Sequence, residues 1–84
     1  MALVTLNYWA GARAAAGTSA ETVEAVSIGA ALEVAAGRRS DPRFLRVVRA
    51  SSLLVDGASV HGADLDEPLR GPVEVEVLPP FAGG

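Results

Sequence analysis

Apolar and polar positions alternate near both ends of the chain and follow a helical period in its middle. In Leu3-Val4-Thr5-Leu6-Asn7-Tyr8-Trp9, Val4, Leu6 and Tyr8 fall on one side of an extended segment and Thr5, Asn7 and Trp9 on the other. This is the period-2 pattern of a half-buried strand. Val73-Glu74-Val75-Glu76-Val77-Leu78 repeats it, with the valines on one face and Glu74, Glu76 and Leu78 on the other. Glu21-Thr22-Val23-Glu24-Ala25-Val26 alternates as a further strand, most economically paired antiparallel with the first. Ser52-Leu53-Leu54-Val55 and Ala58-Ser59-Val60 flank Asp56-Gly57, a strong hairpin signal.

Between these strands the period changes. Ile28, Ala31, Leu32 and Ala35 form an i, i+3, i+4, i+7 stripe behind Ser27, a natural N-cap, and Gly37 is expected to close the helix. Gly29 in the first turn costs up to ~1 kcal/mol relative to Ala and so speaks against this helix without overturning it. Ser40 or Asp41, followed by Pro42, starts a shorter helix carrying Phe44, Leu45 and Val48, with Arg43, Arg46 and Arg49 on its outer side. Ala10 to Ala16 predicts a short helical turn ended by Gly17 in a left-handed cap. Residues Asp64 to Gly71 read as a turn-rich connector whose Leu65 and Leu69 plug the core. The order strand, strand, helix, strands, connector, strand gives an α+β domain with a mixed sheet and one main helix on one face.

If the first and last strands pair in parallel, their C-terminal ends lie side by side and Trp9 meets Leu78. The two would form either an exposed docking patch or the floor under a covering loop. Beside them the last strand must stop, because Pro79-Pro80 removes two backbone donors and holds the chain extended. Residues 1–78 are thus expected to form the single domain and 79–84 an extended, flexible tail. Six extended residues reach about 20 Å. The tail ends in Phe81-Ala82-Gly83-Gly84, and two glycines without side chains suit threading into a narrow channel, where catalytic groups can approach the carboxyl carbon.

Composition narrows the chemistry. The 84 residues allow one small core, and they include no cysteine, so disulfides, thiolate metal sites and a cysteine nucleophile are excluded. With a single histidine, a protein-only zinc site is not expected. His61 has Asp64 near it in sequence but no nucleophile arranged to use the pair, which argues against acid/base catalysis. Lysine is absent, which removes Schiff-base chemistry and leaves no side-chain amine for linking copies of the chain. The glycines at 11 and 17 lack the spacing of a nucleotide loop. Net charge is −3, with five of the seven arginines between Arg38 and Arg49 and six of the ten acids between Asp56 and Glu76. Such sorting is expected to mark solvated faces and gives no support to a nucleic-acid partner. No apolar run reaches the ~18 residues of a membrane span, and the N-terminus lacks a signal-peptide pattern, so a cytoplasmic location without a membrane partner is expected.

The order of elements, the size and the last block, Val75-Glu76-Val77-Leu78-Pro79-Pro80-Phe81-Ala82-Gly83-Gly84, resemble the ubiquitin-like β-grasp sulfur carriers, most closely the small subunit of molybdopterin synthase. Tyr8-Trp9-Ala10-Gly11-Ala12-Arg13, Gly17, Val55-Asp56-Gly57 and Pro68-Leu69 carry the resemblance through the rest of the chain. It implies that the Gly84 carboxylate is adenylated by a ubiquitin-activating-like adenylyltransferase using ATP and is then converted to a thiocarboxylate. The loaded tail would enter the large, catalytic subunit of the synthase, where sulfur passes to a cyclic pterin phosphate precursor of the molybdenum cofactor. Residues Pro79, Pro80, Phe81, Ala82 and Gly83 would occupy the partner's channel, with Trp9 and Leu78 on the docking surface. The chain would hold no cofactor stably and would not be catalytic alone. The same ending also fits carriers for thiazole, cysteine or tRNA thiolation, and protein modifiers that join Gly84 to lysines of other proteins.

Overall fold

The computed structural model describes residues 1–80. In chain order the elements are β1 (Ala2–Tyr8), α1 (Ala10–Ala16), β2 (Ala20–Ala25), α2 (Ile28–Gly37), α3 (Pro42–Ala50), β3 (Ser52–Val55), β4 (Ala58–Val60), a 3-10 turn (Gly62–Asp66) and β5 (Val73–Leu78). The five strands form one mixed sheet in the order β2-β1-β5-β3-β4. β1 pairs antiparallel with β2 and parallel with β5, matching Val4 to Val73 and Tyr8 to Val77. Its two flanks are therefore both paired, and its inward residues Val4, Leu6 and Tyr8 are almost completely buried.

The helices cover one face. Alternation on β1, β2 and β5 delivers Leu6, Val23, Val75 and Val77 to a core completed by Ile28, Ala31, Leu32 and Ala35 of α2 and by Phe44 and Val48 of α3. Small residues on α2 let the helix lie close to the sheet, while Phe44 fills the remaining space and meets Tyr8 edge to face at 5.6 Å. The predicted main helix is thus joined by a second of similar length, nine residues against ten.

The caps explain where these helices begin. The Ser27 hydroxyl accepts from the Ala30 amide at 3.1 Å, and the Asp41 carboxylate accepts from Arg43 at 2.9 Å just ahead of Pro42. Gly17 takes the expected left-handed conformation, with φ of 78°. Gly37 does not close α2 that way: it is the last helical residue, and Arg38 follows it in right-handed geometry with its amide bonded back into the final turn. Asp56 and Gly57 have φ of 51° and 81°, the two positive values of a type I′ hairpin between β3 and β4. Gly29 also has a reason to be glycine, since a Cβ there would come 3.0 Å from the Leu65 carbonyl oxygen where the 3-10 turn crosses α2.

One ion cluster ties the helices to the sheet. The Glu21 carboxylate on β2 accepts from the Tyr8 hydroxyl at 2.5 Å and pairs with Arg39 at 2.7 Å and Arg38 at 3.0 Å. Arg39 also donates to the carbonyls of Ala16 and Ala35 and lies 4.4 Å over the Phe44 ring. Its guanidinium therefore joins α1, α2 and α3 to two strands through hydrogen bonds, charge and ring contact. The expectation of a solvated arginine face holds for Arg43, Arg46 and Arg49 and fails for Arg39, which is largely enclosed.

Burial alone would raise the Glu21 carboxyl, but the hydrogen bonds from Tyr8, Arg39 and Arg38 outweigh it and hold it below its ordinary value of 4.5. Burial, then the Glu21 bond, pushes the Tyr8 phenol well above its ordinary 10.0. A depressed carboxyl stabilises the fold above its unfolded value and loses that contribution as pH falls through the folded one; a raised phenol does so below pH 10 and loses it on the alkaline side. Glu21→Gln is expected to lower the unfolding free energy by about 1.5–3 kcal/mol at neutral pH and to flatten the acid limb of stability. Urea unfolding at a series of pH values checks this. A parallel loss in wild type and variant on acidification would show that another group controls that limb.

Candidate functional site

The first and last strands do pair in parallel, so the C-terminal ends of β1 and β5 lie together. The parallel ladder ends with Tyr8 beside Val77, and the Trp9 amide adds a further bond to the Val77 carbonyl at 3.2 Å. Trp9 is still extended, with φ of −121° and ψ of 150°, and serves as the N-cap of α1. The chain then turns sharply into the helix, and Ala10 takes φ of 48°, a left-handed conformation that costs a residue with a Cβ roughly 1 kcal/mol. Trp9 is consequently the last residue facing the open side of the sheet before the chain leaves it.

Trp9 is 45% exposed, so among the described residues no loop covers it. Leu78, half-buried, ends β5 on the same side and faces Ser52 of β3 across the ladder. Pro79 continues the inward alternation of Val75 and Val77 and is buried, whereas Pro80 is exposed. The chain therefore leaves the sheet from an anchored position directly beside the Trp9 and Leu78 pair. Phe81, Ala82, Gly83 and Gly84 lie outside the described residues.

Polar neighbours fix the tryptophan. Its indole Nε1 donates to Glu76 Oε1 at 2.8 Å, and Asn7 Nδ2 donates to Glu76 Oε2 at 2.7 Å and to Glu74 Oε1 at 3.1 Å. The Arg13 guanidinium lies 5.8 Å from the centre of the indole. Asn7, Glu74, Glu76 and Arg13 thus belong to the site, although the sequence singled out only Trp9 and Leu78. Alternation already put Asn7 on the face of Glu74 and Glu76; the missing information was the register, which sets Asn7 opposite Glu76. An exposed aromatic held by such bonds loses less rotamer freedom when a partner covers it.

The arrangement offers an apolar anchor, the Glu76 carboxylate bonded to it and a chain exit. Among the described residues no group of three or more histidine, aspartate or glutamate side chains could hold a metal ion. His61 does not form a catalytic pair with Asp64: the Asp64 carboxylate accepts from the His61 backbone amide at 3.1 Å at the start of the 3-10 turn. No described helix is long and apolar enough to cross a membrane.

Solved structures match this architecture over almost the whole chain. The small archaeal modifier protein 1 of Methanosarcina acetivorans superposes with a TM-score of 0.80 at 23% identity, covering 100% of this chain and 98% of that one. A Pyrococcus furiosus protein named for molybdopterin converting factor, subunit 1, gives 0.75 at 24% identity over 96% and 100% of the two chains. The chain has the ubiquitin-like β-grasp fold. A chain from the Helicobacter pylori complex of subunits 1 and 2 of molybdopterin-converting factor shares the β-grasp at a TM-score of 0.66 and 13% identity, covering 98% of this chain and 99% of that one. No protein-family model matches the sequence, and no curated protein matches it. At these identities the likeness establishes the β-grasp itself.

The bonds around Trp9 are testable without a partner, because it is the only tryptophan in the chain. Glu76→Ala is expected to lower the fluorescence anisotropy of Trp9 while changing the unfolding free energy by under about 1 kcal/mol, as for other exposed polar contacts. An unchanged anisotropy would mean that Glu76 does not hold the indole.

Proposed function

We propose that this chain is a sulfur carrier, the small subunit of a molybdopterin synthase, working through the α-carboxylate of Gly84. The observation that carries the reading is the parallel pairing of β1 with β5, which sets exposed Trp9 beside Leu78 at the point where Pro79-Pro80 leads the chain away from the β-grasp. A docking patch next to a thin, glycine-ended segment suits delivery of that end into a partner's cleft. The likeness to a subunit of molybdopterin-converting factor supports a large-subunit partner.

The chemistry follows from the poor reactivity of a carboxylate. Attack of a Gly84 carboxylate oxygen on the α-phosphorus of ATP, on an activating adenylyltransferase, releases pyrophosphate and leaves an acyl-adenylate. A sulfur nucleophile at the oxidation level of hydrosulfide then attacks the acyl carbon, AMP departs, and a thiocarboxylate remains. In the large subunit the terminal sulfur attacks a carbon of the pterin precursor and displaces the oxygen substituent bonded to that carbon, and water then cleaves the acyl–sulfur bond, which restores the carboxylate and leaves a thiolate on the acceptor. With neither cysteine nor lysine, the chain presents no thiol or side-chain amine of its own to the activated acyl group.

A second reading, a protein modifier, draws on the likeness to small archaeal modifier protein 1. It shares the adenylation step and differs in the nucleophile, a lysine amine in place of sulfur. Intact-mass spectrometry after incubation with the activating enzyme, ATP and a sulfur donor separates the two. The expected result is replacement of one oxygen by one sulfur at Gly84, absent when Gly84 is deleted. Conjugates on lysines of other proteins without any thiocarboxylate would favour the modifier, and no Gly84-dependent product of either kind would overturn both.

Docking is tested separately. Trp9→Ala is expected to weaken binding to the large synthase subunit by about 2 kcal/mol or more, the range for a central aromatic anchor, while costing under about 1 kcal/mol in stability because the side chain is exposed. Calorimetric titration reads the first and urea unfolding the second. Undiminished affinity would remove Trp9 from the interface.

A further inference from the structure

The sheet has two open edges, β2 on one side and β4 on the other. An edge strand offers unpaired N–H and C=O groups to any extended chain, a second copy included. β4 gives little purchase, since it has three residues. Its two-residue turn closes on the bonded pair Val55 and Ala58, so Ser59 alone turns its backbone groups outward within the strand. β2 is six residues long. Just past its register with β1, the Tyr8 amide donates to the Ser19 carbonyl at 2.8 Å. Bonded and non-bonded pairs alternate along an antiparallel ladder, so Ser19, Glu21, Val23 and Ala25 bond to β1, while Ala20, Thr22 and Glu24 point their amides and carbonyls away from the sheet.

The outward carbonyls are occupied from within the chain. Ala20 accepts from Thr18 Oγ1 at 3.1 Å and Thr22 from Arg38 Nη1 at 3.2 Å. Just past the strand, Val26 accepts from the Leu69 amide at 2.8 Å. Among the described residues only the Glu24 carbonyl on this edge stays open. Arg38 is held at both ends. Its amide closes the last turn of α2 on the carbonyls of Val34 and Ala35, and its Nη1 also pairs with Glu21 Oε1 at 3.0 Å. Glu21 is fixed in turn by Tyr8 and Arg39. The guanidinium is thus carried from a helix end to the middle of the strand, where an incoming backbone would lie.

We propose that Arg38, with Thr18, guards the β2 edge against pairing with a second copy of this chain. Without them the edge is self-complementary. Two β2 strands placed antiparallel about a two-fold axis at Thr22 set Thr22 opposite Thr22 and Ala20 opposite Glu24. Each such pair then exchanges both of its N–H···O bonds, because these are the residues whose groups face outward. Glu24 would face an alanine, so no carboxylates oppose one another to keep the copies apart. With Arg38 in place the carbonyl at the axis is already bonded, and each copy brings a guanidinium to the same point, where the two repel. The guard is independent of the Gly84 chemistry, since every bond in it lies within residues 8–69.

Sedimentation of the full-length chain at concentrations up to about 1 mM tests this. Wild type is expected to stay at the mass of one chain, 8.6 kDa. Thr18→Ala/Arg38→Ala is expected to approach twice that mass as concentration rises and to go no further, because a two-fold contact closes on itself. The amides of Ala20, Thr22 and Glu24 should then exchange hydrogen at least about tenfold more slowly than in wild type. Adding Thr22→Pro removes the amide at the axis and is expected to return the double variant to a single chain; proline is tolerated there because that amide faces outward. An amide spectrum unchanged away from β2 confirms that a variant folds, and if the double variant does not, Arg38→Ala alone is read in the same way. A folded variant that stays single, association that survives Thr22→Pro, growth past the dimer, or a wild type that already pairs through β2 would overturn the proposal.

Discussion

The parallel pairing of β1 with β5 is the contact on which the rest of the structure depends. It joins residues 4–8 to 73–77, so nearly the whole chain forms the connection between two neighbouring strands. Closing so long a loop is costly in entropy, and a parallel ladder repays it only when the intervening elements are in place to bury its face. The core is arranged accordingly: Val4, Leu6, Tyr8, Val75 and Val77 are all at most 1% exposed, beneath helices contributed by the middle of the sequence. The same pairing makes the two strands end together, which brings Trp9 and Leu78 to one end of the sheet. Fold and candidate site therefore share one cause.

The Glu21 cluster solves a second problem of this small core. Three short helices, none longer than ten residues, must be positioned over the sheet, and α2 presents mainly alanines to it. Alanine packs closely but buries little area, and the burial of apolar surface alone stabilises by only about 25 cal/mol per Å². Arg39 compensates by bonding to two helix-end carbonyls and to Glu21 while covering Phe44. Its hydrogen bonds are made in a partly enclosed place where they are stronger than at an open surface.

Most of the element order was legible because it depends on local chemistry. Alternation marks β1 and β5, Asp56-Gly57 marks the hairpin, and Ser27 and Asp41-Pro42 mark the starts of α2 and α3, all within a residue or two of the observed bounds. Less legible were features set by long-range geometry. Gly29 looked like a weakness in α2 until the 3-10 turn, some 36 residues later, is seen to pass against it. Charge density along the sequence could not separate Arg39 from Arg49, because the difference is whether the helix end or the helix side faces Glu21. At the site, the face of Trp9 was readable from alternation, but its bond to Glu76 was not, since that depends on a one-residue choice of parallel register.

Register also decides what kind of surface the open face is. A shift of one residue between β1 and β5 would place Asn7 opposite a valine, and both Glu76 and the Trp9 indole would lose their polar partners. In the observed register Glu76 is held between Asn7 and the Trp9 indole, while the exposed Glu74 carboxylate accepts from Asn7. Binding an exposed tryptophan that swings freely would cost about 0.5–1.5 kcal/mol in lost rotamers. Here part of that cost is met during folding, by side chains whose own backbone ladder fixes them. The pairing that closes the fold thus also prepares the ring for contact.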